Sequence, residues 1–125
     1  MNAGDTFLFP GGADDHLWMI ISDPAVDPQK VVILKFVSWQ ERYEQTCIVR
    51  AGEHPFVKHD TCVSFSSARI TEDANLQSLQ STGRLVMKQP LSAALLGRIR
   101  AAVMDSDGIP AECVTALVDQ GVVLW

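Results

Sequence analysis

The sequence predicts a mainly β chain with C-terminal helices, folded as a small, strongly bent antiparallel β-barrel. Three observations carry that reading. Five short β-rich segments follow one another within the first 72 residues, with little helical pattern between them. Apolar residues recur with a clear helical period only further on, from Leu95. At 125 residues and 47% hydrophobic, the chain is long and apolar enough to bury one core. A single domain over residues 1–125 is expected, with the barrel in 1–72 and a mainly helical tail, 73–125, packed on it.

The first expected strand is Thr6–Phe9, stopped by Pro10-Gly11-Gly12. The apolar run Leu17–Ile21 forms the second and closes at Ser22-Asp23-Pro24. Val31–Val37 is dense in β-branched residues and nearly continuous in apolarity, the pattern of a central strand covered on both faces. Thr46–Val49 and Cys62–Phe65 complete the set, separated by the turn-rich Ala51–Pro55. Leu76, Leu79 and Gln80 predict a short helical turn, and Arg84–Met87 an edge strand. Ser92 is the expected N-cap of a helix whose apolar residues Leu95, Leu96, Ile99, Ala102 and Val103 share a face, with Asp107-Gly108 as its stop. A second helix is expected over 111–120, opened by Pro110 and ended by Gly121.

Charge excludes a blanket attraction to polyanions, since the formal net charge is −5. The distribution is uneven. Residues 1–29 hold five acids and no base, whereas residues 30–70 hold six bases against four acids. No apolar run reaches the ~18 residues of a membrane span and no leader pattern opens the chain, so a cytoplasmic protein is expected. Cys47, Cys62 and Cys113 lack CxxC spacing and sit in apolar context, as buried thiols do.

Motifs for nucleotide hydrolysis, zinc proteolysis, serine hydrolysis and dinucleotide binding are absent. Chemistry must come from loosely placed polar residues. His16 follows the flexible Gly11–Asp15 loop at the head of an expected strand, and imidazole both gives and takes protons near neutrality. Glu53–Asp60 is the densest polar stretch, with His54, Lys58, His59 and Asp60. It reads either as a turn anchored by Pro55 and Phe56 with solvated histidines, or as a phosphate contact through Lys58 and His59. The histidine spacing matches no known cage, so no metal and no cofactor are assigned. Ser64, Ser66 and Ser67 alternate with apolar residues as on a half-exposed strand. Trp18, Trp39 and Trp125 read as core or interface residues.

In order, these elements resemble the PemK and MazF-like growth-inhibitor toxins, whose fold is a small SH3-like β-barrel. Gly4-Asp5-Thr6-Phe7-Leu8 resembles the family's opening strand, and Leu17–Ser22 its "R-P-V-L-V-I-S" strand. Val32–Ser38 is similar to the strand that ends in a hydroxyl residue, and Asp60–Ile70 to "D-S-x-V-x-…-R-T-I". Gly83-Arg84-Leu85 and the helix from Ser92 follow the helical end, so the resemblance spans roughly residues 4–105. It implies a metal-independent endoribonuclease that cuts single-stranded RNA as a homodimer and is neutralised by an antitoxin protein lying in the RNA groove.

Family members carry an Arg at the head of the second strand, where this chain has His16, followed by Leu17 in place of Pro. The hydroxyl is retained as Ser38, and an Arg and Asp of some members align with Ser64 and Ser66. The expected catalytic residues are therefore His16 for proton transfer and Ser38 at the phosphate. Lys35, Arg42, Lys58, His59 and Arg69 are expected to bind RNA or a partner in one groove. The alternative is a non-catalytic barrel of the same fold that serves as a protein-interaction module.

Overall fold

A computed structural model describes residues 1–11 and 15–124. Six antiparallel strands form one curled sheet: β1 (Thr6–Leu8), β2 (Trp18–Ile20), β3 (Val31–Ser38), β4 (Ile48–Val49), β5 (Thr61–Thr71) and β6 (Val86–Lys88), in the order β4-β5-β3-β2-β1-β6. Three helices, α1 (Asp73–Ser81), α2 (Ala93–Ala102) and α3 (Ala111–Asp119), accompany it. The expected class, a bent antiparallel sheet with C-terminal helices, is the one observed.

Strand β3 lies inside the sheet and buries both faces, as its continuous apolarity predicts. Because successive side chains alternate, Val32, Leu34 and Phe36 join Leu17, Met19, Val63 and Phe65 in the larger, inner core. That core is closed by Leu95 and Ile99 of α2 and by Cys113, Ala116 and Leu117 of α3. Val31 and Ile33 point the other way and meet Phe7, Trp18, Ile20, Leu76 and Leu85 in a second, outer cluster under α1.

Three elements differ from expectation. The strand predicted over Cys62–Phe65 runs on to Thr71, because a break in register lets it turn a corner. Ile33 faces Arg69 and Lys35 faces Ser64, so extra residues of β5 bulge opposite Leu34. Ser67 Oγ fills the gap, accepting from the Lys35 N–H at 3.2 Å and donating to the Ser64 carbonyl at 2.6 Å. Alternation beyond Phe65 is lost in this bulge, which hides the second half of the strand from pattern reading. The turn expected near Leu76 is a full helix, α1, whose mostly polar sequence buries only Leu76. Helix α2 ends at Ala102 in a 3-10 turn, Val103–Asp105, before the Asp107-Gly108 stop.

The caps follow the sequence. Ser92 Oγ accepts from the Leu95 N–H at 3.1 Å, and Gly121 takes a φ of +74° just past α3. Arg100 fastens α2 to the end of β2 by donating to the carbonyls of Ile21 at 2.7 Å and Ser22 at 3.1 Å. All three cysteines are buried and free, and burial pushes the Cys113 thiol up to about 11. Among the described residues, no helix is long and apolar enough to cross a membrane.

Replacing Ser92 by Ala should lower stability by about 1 kcal/mol, and by Gly only a few tenths, because Gly is itself an accepted N-cap. Urea unfolding of both variants checks this; an Ala variant as stable as the wild type would show that the cap bond contributes nothing.

Candidate functional site

One end of the sheet gathers the chemistry. Ser38 closes β3 opposite Thr61, the first residue of β5, and the pairing continues past it through the Trp39 N–H to the Asp60 carbonyl at 3.0 Å. The chain before β5 is the 50–60 loop, so Lys58 and His59 arrive beside Ser38. His59 Nε2 lies 2.9 Å from Ser38 Oγ. His16 comes from the head of β2, next to Leu17, whose carbonyl accepts the Phe36 N–H at 3.0 Å. These side chains line one recess, walled by Phe36, Val37, Phe56, Val57 and Thr61.

The loop is held from three sides. Glu53 takes a two-pronged bond from Arg98 of α2, with Nη1 to Oε1 at 2.6 Å and Nη2 to Oε2 at 2.9 Å. Arg98 and the Arg50 backbone N–H hold the Glu53 carboxyl at about 2, well below the ordinary carboxylate range. Arg50 pairs with Asp60 across the loop. His54, expected to be solvated, is instead buried and structural. Its Nδ1 accepts from the Phe56 N–H at 3.1 Å, which leaves Nε2–H to donate to the Gln89 carbonyl at 2.6 Å. The neutral ring thus ties the loop to the segment after β6. Nothing in the sequence separates His54 from His59; only the partner at residue 89, distant in sequence, does so.

Of the expected site residues, His16, Ser38, Lys58 and His59 come together and Lys35, Arg42 and Arg69 do not. Lys35 stands an odd number of residues from Ser38, so alternation places it on the other face of β3. There Lys35 Nζ lies 5.5 Å and the Arg69 guanidinium 4.6 Å from the centre of the Trp18 ring. Arg69 shares that face because it is directly opposite Ile33. Arg42 belongs to the β3–β4 connection, where it donates to Gln40 Oε1 and stacks 4.8 Å from the Tyr43 ring. Ser64 and Ser67 are engaged by the β5 bulge and lie apart from the recess. Among the described residues no group of His, Cys, Asp and Glu is arranged to hold a metal ion. The loop expected to deliver His16 falls partly on residues 12–14, outside those described, as does Trp125.

An imidazole bonded to a hydroxyl, a second imidazole and an ammonium lie in one recess, the residue types that proton transfer at an anionic centre requires. No family model matches the sequence, and no curated protein matches it. Solved structures do. One is titled an endoribonuclease in complex with its cognate antitoxin from mycobacterial species. It superimposes with a TM-score of 0.57 over 88% of this chain and 97% of that one, at 15% identity. At that identity the likeness is one of fold, and it agrees with the toxin-type barrel that the sequence resembles.

Because the folded-state Glu53 carboxyl sits below its ordinary value of 4.5, the Glu53–Arg98 pair contributes its full stability above that value. The contribution is lost as pH falls through the interval down to about 2. Glu53→Gln should cost about 1 kcal/mol at neutral pH, no more, since the Arg98 side chain is 46% exposed. Unfolding midpoints at pH 7 and pH 3 test this: the gap between wild type and variant must narrow at the lower pH.

Proposed function

We propose that the protein is a metal-independent endoribonuclease acting on single-stranded RNA, a toxin held in check by a protein antitoxin. The observation that carries this reading is the 2.9 Å contact of His59 with Ser38, in a recess shared with His16 and Lys58. The reaction it fits is transesterification. The 2′-oxygen attacks the adjacent phosphorus, the P–O5′ bond breaks, and a 2′,3′-cyclic phosphate and a 5′-hydroxyl result. Three services are required. One imidazole takes the 2′-hydroxyl proton, another delivers a proton to the departing 5′-oxygen, and a cation faces the extra negative charge on the phosphorane.

His59, its ring oriented by Ser38, is assigned the first role, His16 the second and Lys58 the third. Ser38 positions His59 and offers its hydroxyl to a phosphate oxygen. The family-like Arg at the head of the second strand is thereby replaced by a division of labour. A guanidinium supplies a fixed fork of donors; here the charge comes from an ammonium on the loop and proton transfer from two rings. The antitoxin bound to the structurally similar endoribonuclease supports a protein antitoxin as the partner of this chain.

We place the protein in the cytoplasm, where it meets RNA, and as a homodimer. The support for the second copy is an apolar recess between α2 and the chain's end, lined by Ala101, Met104, Val122 and Leu124, with Leu124 82% exposed. Between Val122 and Leu124, Val123 is buried in the inner core. Light scattering at ~100 µM, where even a weak interface forms, should report twice the chain mass.

The purified chain should cut single-stranded RNA equally with and without EDTA. His59→Ala and His16→Ala should each slow cutting by about 10²-fold or more while the fold persists. Gel assays with end-group analysis for the cyclic phosphate decide it. No cutting at all, or cutting abolished by EDTA, overturns the assignment.

A further inference from the structure

Phe56 is a large apolar side chain left 41% exposed, and it is the common wall of two recesses. One is the recess of Ser38, Lys58 and His59. The other borders the same residue and is lined also by Leu8, His54, Pro55, Lys88 and Gln89. We infer that Phe56 is a stacking platform for a nucleobase of single-stranded RNA. The second recess seats that base, and Lys88 meets a phosphate beyond it. The inference rests on the nuclease reading of the first recess and adds to it a neighbouring binding subsite.

Three features argue for a base rather than a bare anion. First, the backbone that carries the ring is held in place. The Phe56 N–H is bonded to His54 Nδ1, His54 is bonded to the Gln89 carbonyl, and Glu53 ties the same loop to α2. An exposed ring on a fixed loop loses little freedom when a base lies on it. Second, the other recess combines the apolar Leu8 and Pro55 with the exposed side chains of Lys88 and Gln89. The Gln89 carbonyl is already occupied, accepting from Thr6 Oγ1 at 2.7 Å and from His54. The side-chain amide therefore remains to read a base edge.

Third, the charges match a nucleic acid strand. Lys58 stands at one recess and Lys88 at the other, and neither forms an ion pair with a described residue. The nearby acids Glu53 and Asp60 are engaged by Arg98 and Arg50. An acidic peptide would use the two ammonium groups equally well but would leave the aromatic wall without a role.

The test uses the full chain and a fluorescent 2′-O-methyl RNA hexamer, which lacks the attacking hydroxyl and so is bound without being cut. Phe56→Ala should weaken binding about 5- to 100-fold, the scale of one stacked base, while Phe56→Tyr keeps affinity within about twofold and shows that the fold is intact. A hexamer with one abasic position should bind the wild type that much more weakly, and at that position Phe56→Ala should cost nothing further. Equal affinity of Phe56→Ala and wild type overturns the inference, as does equal affinity for the intact and abasic hexamers at every position. If the wild type cuts natural RNA while Phe56→Ala binds unchanged, the stacking subsite alone falls. If the wild type neither binds nor cuts, the nuclease reading falls and takes the subsite with it.

Discussion

The pairing of Val31–Ser38 with Thr61–Thr71 is the constraint on which the rest of the molecule depends. It divides the apolar residues of one strand between two cores. Its single interruption, the β5 bulge opposite Leu34, curls the sheet so that α2 and α3 can close the inner face. Burying a side chain such as Leu34 or Phe65 contributes roughly 1.5–3 kcal/mol, whereas an exposed ion pair contributes about 1 kcal/mol or less. The sheet and its cores therefore decide whether the chain folds. The polar loop at its end decides only what the folded chain presents. The same pairing sets the site, since the register that puts Ser38 opposite Thr61 also brings Lys58 and His59 within reach of it.

Division of labour between core and loop explains the arrangement of the 50–60 segment. A loop carrying polar groups has no ladder to hold it, so two of its ties reach other parts of the fold, Glu53 to α2 and His54 to the segment after β6, and a third, Asp60 to Arg50, closes the loop on itself. Among these the His54 tie matters most. It is buried, so its loss would leave the Phe56 N–H without its partner and the Gln89 carbonyl with Thr6 Oγ1 alone, and an orphaned donor shielded from water costs about 1–3 kcal/mol. The carboxylate ties are more exposed and serve chiefly to fix direction.

Much of the fold was legible because it depends on period and punctuation. β3 announced itself by β-branched density, α2 by Ser92 and its apolar face, α3 by Pro110 and Gly121. What the pattern could not show were the places where one rule gives way to another. The bulge of β5 breaks the alternation by which strands are read, and α1 buries too little to leave a stripe. The site was half legible for a related reason. Ser38 and the role of His16 come from the family resemblance, Lys58 and His59 from residue type, and the four converge. Lys35 and Arg69 were picked by the same criterion, yet strand parity sends them to the opposite face, against Trp18. Charge counting along a sequence is blind to parity. It is equally blind to His54, whose partner, Gln89, lies 35 residues away.

A chain with net charge −5 has to explain how it would hold a polyanion at all, and the answer lies in where its charges are engaged. Screening confines an exposed charge to a neighbourhood of about 10 Å, so the field at the site is set by the groups around it and not by the total. Around the recess the carboxylates of Glu53 and Asp60 are neutralised by guanidinium partners, and the ammonium groups of Lys58 and Lys88 are left facing outward. The acids of residues 1–29 still act at longer range and weaken the approach of any polyanion at low salt. Local attraction combined with distant repulsion favours a short contact over an extended one. A strand held at one or two phosphates and by its bases is compatible with such a field, whereas a duplex lying along the whole surface is not.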